Sequence, residues 1–236
     1  MKIKGDLTTL KNAFNLVDNH AWEGYIRPHK LGLVMDQMDP ANVSKLKVLI
    51  KKDGLLEYEP GDMDKEYGVR YEHIMKALNV FNDDAVNIDF DYENKVRFWT
   101  DSKEFTTNKL ELKERNAKLK EISPHFSATA EVDTLYDFTN DVDNDGQINI
   151  EITEDGMELY VDGDMMSYSH NVSGISSDKK IEVIYPTEQL YDFTKALRKE
   201  FDEMEIATQS EYPIRIRSEN ENMKVEYVLA PRVNNS

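Results

Sequence analysis

The chain has 236 residues, of which 39% are hydrophobic and 32% are charged, enough for one large domain or two of about 110 residues each. It contains no cysteine, which excludes disulfides, thiolate metal sites and cysteine nucleophiles. No apolar run approaches the ~18 residues of a membrane span, and the first six residues lack the apolar core of a secretion signal. We therefore expect a soluble, cytoplasmic protein without a membrane partner.

The net charge of −17 makes this an acidic protein whose summed field repels phosphates. Two explanations compete: a partner that seeks acidic surfaces, or a solvated surface adapted to high salt. At 1 M salt the Debye length is only ~3 Å, so the repulsion among carboxylates is largely screened. We favour the salt-adapted, halophilic interpretation, which names no function by itself.

The first half of the chain reads helix, strands, helix, strands. The first predicted helix, 6–19, carries an apolar stripe at helical spacing made of Leu7, Leu10, Phe14 and Val17. Strands are predicted at 22–25 and 31–35, a second helix at 71–81, and strands at 86–92 and 96–99.

The second half repeats this order, which predicts two tandem similar domains. Its first helix, 131–142, has the stripe Val132, Leu135, Phe138 and Val142. Strands follow at 148–152 and 157–161, then a helix at 187–201 and strands at 204–208, 214–217 and 224–229. Strands such as Ile148–Ile150–Ile152 alternate apolar and polar residues, as in an antiparallel sheet with one covered face. The fold class is therefore α+β, with two amphipathic helices on one face of each domain's sheet.

Residues 113–126 interrupt the pattern with a cluster of basic residues. Two readings remain open: a solvated linker, or a strap for partner docking in which Leu119 or Ile122 closes over a groove. The predicted boundaries are 1–112, 113–126 as the linker, and 127–236.

Signatures of catalysis and of cofactor binding are missing from the sequence. No glycine-rich phosphate loop occurs, and the five histidines lack metal-ligand spacing. The segment 141–152 resembles a calcium loop but has Ile152 where a bidentate Glu is required. We expect no enzyme activity, no cofactor and no metal.

The polar faces of the helices carry a set of basic residues suited to contacting a phosphate backbone without reading bases. They are Lys11, His73, Lys76, Lys195, Arg198 and Lys199. Acidic residues such as Asp137 on the third helix oppose them, so ordinary solvated helix faces remain an alternative.

Several stretches, in order along the whole chain, resemble the sliding clamps of the proliferating cell nuclear antigen (PCNA) family, particularly archaeal members. They are Met38-Asp39-Pro40-Ala41-Asn42-Val43-Ser44, Tyr191-Asp192-Phe193-Thr194-Lys195-Ala196, Glu211-Tyr212-Pro213-Ile214 and Leu229-Ala230-Pro231-Arg232-Val233. With the acidic composition, the resemblance suggests a halophilic archaeon or its virus as the source.

The resemblance implies a DNA clamp fold and a homotrimeric ring around duplex DNA, bound independently of sequence, with the basic helix residues facing the DNA. Such a clamp is a polymerase processivity factor, set on DNA by a clamp loader, and would be nucleoid-associated. Ring closure would pair edge 103–112 with edge 164–173 of a neighbour, using Phe105, Leu110, Leu112, Met166, Tyr168 and Val172.

The resemblance also implies a pocket for a short peptide motif of DNA polymerase and other clamp-binding proteins. Its predicted lining is Met38, Val43, Leu119, Ile122, Pro213, Val228, Ala230 and Pro231. Lys45 and Val228 depart from the usual family residues, and Asp137 lies where relatives are often basic. Two alternatives stay open: a monomeric clamp-fold protein that binds replication partners without encircling DNA, and an acidic hydrolase with an unrecognised site.

Overall fold

The computed structural model describes residues 1–111, 124–142, 146–162 and 167–232. Contacts divide the chain into two compact units, Met1–Lys118 with Glu219–Glu226, and Leu119–Ser218 with Tyr227–Ser236. Most of the predicted linker lies outside the described residues, so the predicted domain boundaries stay a prediction. Within the described ranges, no helix is long and apolar enough to cross a membrane.

Residues 1–111, the described part of the N-terminal half, form two α-helices and nine strands. In chain order these are β1 (Lys2–Asp6), α1 (Leu7–Asp18), β2 (Glu23–His29), β3 (Gly32–Met38), β4 (Ser44–Lys51), β5 (Glu57–Glu59), β6 (Tyr67–Arg70), α2 (Tyr71–Asn79), β7 (Ala85–Asp89), β8 (Lys95–Trp99) and β9 (Glu104–Asn108), with a short 3-10 helix at Lys52–Gly54.

The strand pairs among β1–β9 whose register is described are antiparallel. Strands β5, β1, β7, β8 and β9 form one sheet in that order, and β4, β3, β2 and β6 form another set of neighbours. Strand β9 is the last strand of the first sheet, and its pairing with β8 places Phe98 opposite Phe105. Strand β9 therefore lies at a sheet edge.

Helix α1 begins where Asp6 caps it: the Asp6 carboxylate accepts a hydrogen bond from the Thr9 amide at 2.7 Å. Such a cap satisfies one of the free amides of the first turn. The apolar stripe of α1, including Leu10 and Phe14, is fully buried, and α1 packs beside α2. The helix pair thus covers the core with one face and leaves the other polar.

The second half of the chain repeats this layout. Its elements are β10 (Phe126–Glu131), α3 (Val132–Asp141), β11 (Gln147–Ile152), β12 (Met157–Asp162), β13 (Ser167–Val172), β14 (Ile181–Pro186), α4 (Thr187–Leu197), β15 (Glu203–Thr208), β16 (Ile214–Glu219) and β17 (Met223–Leu229). Strands β13, β12, β11 and β14 form an antiparallel sheet in that order, and β10 and β16 flank β15.

Helices α3 and α4 are built from one repeated string, Leu-Tyr-Asp-Phe-Thr, at 135–139 and 190–194. The leucines and phenylalanines are buried. Each buried threonine hydroxyl donates to the carbonyl four residues earlier, Thr139 to Leu135 at 2.8 Å and Thr194 to Leu190 at 2.7 Å. The hydroxyls therefore need no external partner, and α3 packs beside α4.

The four helices lie at the predicted positions, although α4 ends at Leu197 and α2 at Asn79, earlier than predicted. The α+β class with two helices in each unit is confirmed. The strand predicted at 22–25 is present as β2 and begins one residue later, at Glu23, and the Trp22 side chain is 75% exposed.

Candidate functional site

The predicted DNA-facing residues of the first unit are positioned by α1 and α2. Lys11 is half-buried on α1, and Lys76 is exposed on α2. The Lys76 ammonium donates to the Glu72 carboxylate one turn earlier, and His73 Nδ1 lies 3.4 Å from the Thr107 hydroxyl of β9. The charge of Lys76 is therefore already offset within its own helix.

In the second unit the predicted basic residues surround a stacked tyrosine pair. The rings of Tyr136 on α3 and Tyr191 on α4 are 5.8 Å apart at an interplanar angle of 19°. The Arg198 guanidinium lies 4.0 Å from the Tyr136 centroid, and the Lys195 ammonium lies 5.1 Å from that of Tyr191. Both cations are within the range of a cation–π contact.

An ion pair ties Arg198 to the opposite helix. Arg198 Nε is 3.0 Å from Asp133 Oδ1, with both side chains partly exposed. Asp133 belongs to the acidic residues of α3 that oppose a basic lining, and here it neutralises and orients one predicted DNA contact. Lys199 is exposed in the turn after α4. The helix faces of both units are therefore close to neutral.

The sequence analysis missed Tyr136 and Tyr191 as partners. Spacing alone places both on the polar side of their helices, where aromatic residues carry no specific signal. The signal that finds them is the repeated string at 135–139 and 190–194, because equivalent positions on two packed helices of a duplicated unit face each other.

Four of the six predicted subunit-interface residues belong to the described ranges, and they lie on or beside the edge strands β9 and β13. Phe105 is half-buried on β9, and the Leu110 amide donates to the Gly68 carbonyl at 2.9 Å. On β13, Tyr168 is 37% exposed and its ring lies 5.3 Å from that of Phe138, while Val172 is half-buried. Leu112 and Met166 lie outside the described residues. The interface itself stays a prediction.

Two predicted pocket residues lie in the first unit, at the turn between β3 and β4. The Asp39 carboxylate accepts hydrogen bonds from the amides of Val43 and Ser44 at 2.8 and 2.9 Å. The Val43 side chain is 36% exposed, and Met38 is half-buried. The Lys45 ammonium lies 2.9 Å from Asp36 Oδ1. Its ammonium is therefore partly neutralised.

The other described pocket residues lie in the second unit. Pro213, Ala230 and Pro231 are half-buried, whereas Val228 is only 7% exposed. After β17 the Arg232 amide donates to the Ile184 carbonyl at 2.9 Å, which fixes the segment that follows Pro231. Leu119 and Ile122 lie outside the described residues, and the pocket stays a prediction.

The calcium-loop resemblance receives no support from the described part of its segment. Ile152, at the position where the loop requires a bidentate Glu, is fully buried at the end of β11. The described residues contain no group of three or more metal-ligating side chains. Residues 143–145 lie outside the described ranges.

Comparison with known proteins supplies both a sequence and a fold relationship. Curated DNA polymerase sliding clamps of Methanococcus maripaludis are 26% identical to this chain for strain C7 and 25% for strain C5, over 93% of this chain and 92% of theirs. No protein-family model matches.

Solved structures of the same fold cover nearly the whole chain. The PCNA of Entamoeba histolytica superimposes with a TM-score of 0.88 at 18% identity, covering 98% of both chains. An A. fulgidus PCNA with the C-terminal region of FEN-1 bound gives 0.85 at 18%, covering 100% of this chain and 99% of that one. The PCNA2–PCNA3 complex of Sulfolobus tokodaii superimposes with a TM-score of 0.84 at 22% sequence identity, covering 98% of this chain and 99% of that one.

The predicted resemblance to PCNA-family sliding clamps is confirmed. The fold is the two-unit clamp fold, and the sequence relatives that match along its length are sliding clamps. The function supported by the sequence relationship is that of a DNA polymerase sliding clamp.

Proposed function

We propose that three copies of this chain form a closed ring around duplex DNA and act as a processivity factor for a DNA polymerase. The observation that carries the proposal is the full-length match to clamps in fold, joined to 25–26% sequence identity with archaeal sliding clamps. The role is mechanical: the ring holds partners on DNA and needs no catalytic step.

Ring closure in this proposal pairs β9 of one copy with β13 of the next. Both strands lie at a sheet edge within the described residues, and an edge strand offers unpaired backbone donors and acceptors to another chain. Phe105, Leu110, Tyr168 and Val172 supply apolar contacts beside those hydrogen bonds.

The helix pairs line the bore and contact the sugar-phosphate backbone weakly. The Lys76–Glu72 and Arg198–Asp133 pairs leave little net positive charge on these faces, so attraction to phosphates is small. A closed ring tolerates this because topology, rather than affinity, retains it on DNA. Weak contact also allows sliding.

Partners bind through the predicted pocket that includes Met38, Val43, Pro213 and Pro231. One related structure, the A. fulgidus PCNA, holds the C-terminal region of FEN-1. We propose that a polymerase and repair enzymes dock here through a short segment with an aromatic anchor, because few buried anchors supply most of the affinity in such sites. A clamp loader opens the ring.

The charge of −17 fits a protein that works in concentrated salt, as in a halophilic archaeon or its virus. Screening then removes most of the repulsion between the acidic surface and DNA. Because the ring encircles DNA, we propose that it acts in the nucleoid of the cytoplasm.

A second candidate function is a monomeric clamp-fold protein that binds replication partners without encircling DNA. The neutralised helix faces favour it, because a protein that never surrounds DNA has no need of a basic lining. Molar mass separates the two functions.

The first test is mass by light scattering across a salt series from low to molar concentrations. A ring gives a mass near three times the 27.4 kDa of the chain at high salt. A single-chain mass at every salt concentration favours the monomeric function.

The second test asks whether binding is topological. The protein is mixed with linear duplex DNA whose ends are either free or blocked by bulky protein, then separated by size. A ring threads onto free ends and is excluded by blocked ends, whereas equal binding to both substrates contradicts encirclement.

A further inference from the structure

One apolar side chain of the first unit stands apart in its exposure. Trp22 follows α1, and its side chain, at 75%, is the most exposed of the large apolar residues that the structure describes. A single exposed apolar residue is ordinary on a protein surface, so its surroundings decide whether it has a role.

The backbone holds Trp22 firmly while its indole points to solvent. The Trp22 carbonyl accepts the Tyr71 amide at the start of α2 at 3.0 Å, and Ala21 before it is buried. Two residues later Gly24 packs so closely that an added Cβ would lie 1.9 Å from Gln37 Oε1. The exposed indole is therefore presented on a fixed segment rather than on a loose loop.

The indole forms one wall of a cleft of about 450 Å³ whose other walls are mostly acidic. The cleft is lined by Asp18, Trp22, Glu23, Arg70 and Glu72. Glu72 pairs with Lys76, but within the described ranges neither Asp18 nor Glu23 has an ion pair, and no cation lies over the Trp22 ring. Glu23 lies opposite Arg70 in the register of β2 and β6, so the cleft combines an open aromatic face with three carboxylates and one guanidinium.

This combination has a defined chemical complement. A cation is attracted to the face of an indole, most strongly among the aromatic rings, and carboxylates at the same cleft add charge-assisted hydrogen bonds. A planar guanidinium satisfies both requirements at once. The chain's own excess of acidic residues draws basic segments toward this surface.

We propose that the Trp22 cleft is a second docking site, which receives an arginine or lysine side chain from a basic segment of a partner protein. The site shares no lining residue with the predicted peptide pocket. Asp18 supports the assignment: burial, and then the charge of Glu72, raise the pKa of this carboxyl, while Lys76 opposes the shift. A carboxylate kept in an unfavourable environment is a feature of binding sites.

The probe is a short, fluorescently labelled peptide of alternating arginine and glycine, and binding is followed by anisotropy at low salt. We expect Trp22→Ala, and separately Asp18→Asn with Glu23→Gln, to weaken binding about fivefold. Trp22→Phe keeps a weaker aromatic face, so its affinity for the peptide should lie between that of the unchanged chain and that of Trp22→Ala. The matched control, Asp53→Asn with Asp101→Asn, removes the same charge from exposed positions outside the cleft and should leave the affinity within about twofold.

A second peptide, with citrulline in place of arginine, keeps the shape and removes the charge. In a Trp99→Phe background Trp22 is the sole tryptophan, so the arginine peptide should quench its fluorescence and the citrulline peptide should not. The proposal is overturned if both peptides bind equally, if Trp22→Ala binds as well as the unchanged chain, or if the control variant loses as much affinity as the cleft variant. None of these outcomes bears on ring formation or threading.

Discussion

Asp133, near the start of α3, holds the guanidinium of Arg198, just after the end of α4, with Oδ1 3.0 Å from Nε. The same guanidinium lies over the ring of Tyr136. Asp133 adds negative charge to a face proposed to contact DNA, and it is also the partner that orients Arg198.

Replacing Asp133 with Asn should raise the affinity for duplex DNA at low salt. The variant frees the charge of Arg198, and each additional phosphate contact steepens the dependence of log K on log salt by about one unit. Affinity is measured by anisotropy on labelled duplex across a salt series. Asp178→Asn, which removes an exposed charge between β13 and β14, is the control. If the slope of log K against log salt is the same for Asp133→Asn and the unchanged chain, Arg198 does not contact DNA.

Reversing Lys76 and Lys195 to Glu should weaken DNA binding and polymerase stimulation, and more so at low salt, where charges are less screened. Processive synthesis on a primed template at two salt concentrations measures the effect. The control reverses Lys47 and Lys179, which are exposed and lie outside α1–α4. If both double variants behave alike, net charge rather than the helix faces determines the effect.

Pro231→Asp should weaken binding of an aromatic-anchored partner peptide by about tenfold, because the change introduces a charge into an apolar contact. Isothermal titration gives the affinity, and light scattering tests whether the assembly is intact. Val228→Asp should do the same, but Val228 is 7% exposed, so its variant also needs a melting curve. Leu56→Asp, at an exposed position of the first unit, is the control. Peptide affinity unchanged in Pro231→Asp would refute the pocket assignment.

Asp18→Asn should stabilise the fold at neutral pH. The pKa of Asp18 is raised, first by burial and then by Glu72, so the folded chain binds this proton more tightly than the unfolded chain. The charged form therefore costs stability above the folded pKa, and the cost disappears as pH falls through it. Asp18 also ends α1, where the helix dipole disfavours negative charge.

The expected gain in the free energy of unfolding is about 0.5 kcal/mol at neutral pH, and it shrinks toward about pH 4. Urea unfolding at a series of pH values measures it, with the exposed Asp101→Asn as the control. A gain that persists unchanged into acid would mean that the carboxylate charge is not its source.

Phe105→Asp on β9 should reduce the assembly to single chains at salt concentrations where the unchanged protein forms a ring. The added charge would have to be buried against the neighbouring edge. Light scattering gives the mass, and circular dichroism checks the fold. Thr100→Asp, in the turn before β9, is the matched control. A ring that survives Phe105→Asp would exclude β9 from closure.

Much of the fold is predictable from periodicity. The stripe of α1 and the alternation of β11 each match one buried face, because a helix or strand covered on one side must repeat its apolar residues at its own period. Strand β4 was missed although Leu46, Val48 and Ile50 alternate and are buried. Its signal was present in the sequence. Strand β10 is different because its residues alternate only between exposed and half-buried. It has too few apolar residues for the alternation to predict a strand.

The candidate sites were less predictable, because they depend on contacts between distant residues. Neither the Asp133–Arg198 pair nor the cleft beside Trp22 leaves a spacing pattern in the sequence. The strand predicted at 22–25 is β2, which begins one residue later, at Glu23, and a shift of one residue is within the usual uncertainty of an element boundary.

The stacking of Tyr136 on Tyr191 joins a residue to its own duplicate, as in the isologous interface of a twofold homodimer. A shorter ancestral polypeptide bearing a single helix of this kind would present the same tyrosine to its twin. Fusion of two such copies makes the contact intramolecular and frees each half to diverge, as at Lys195 of α4, whose counterpart on α3 is Asn140.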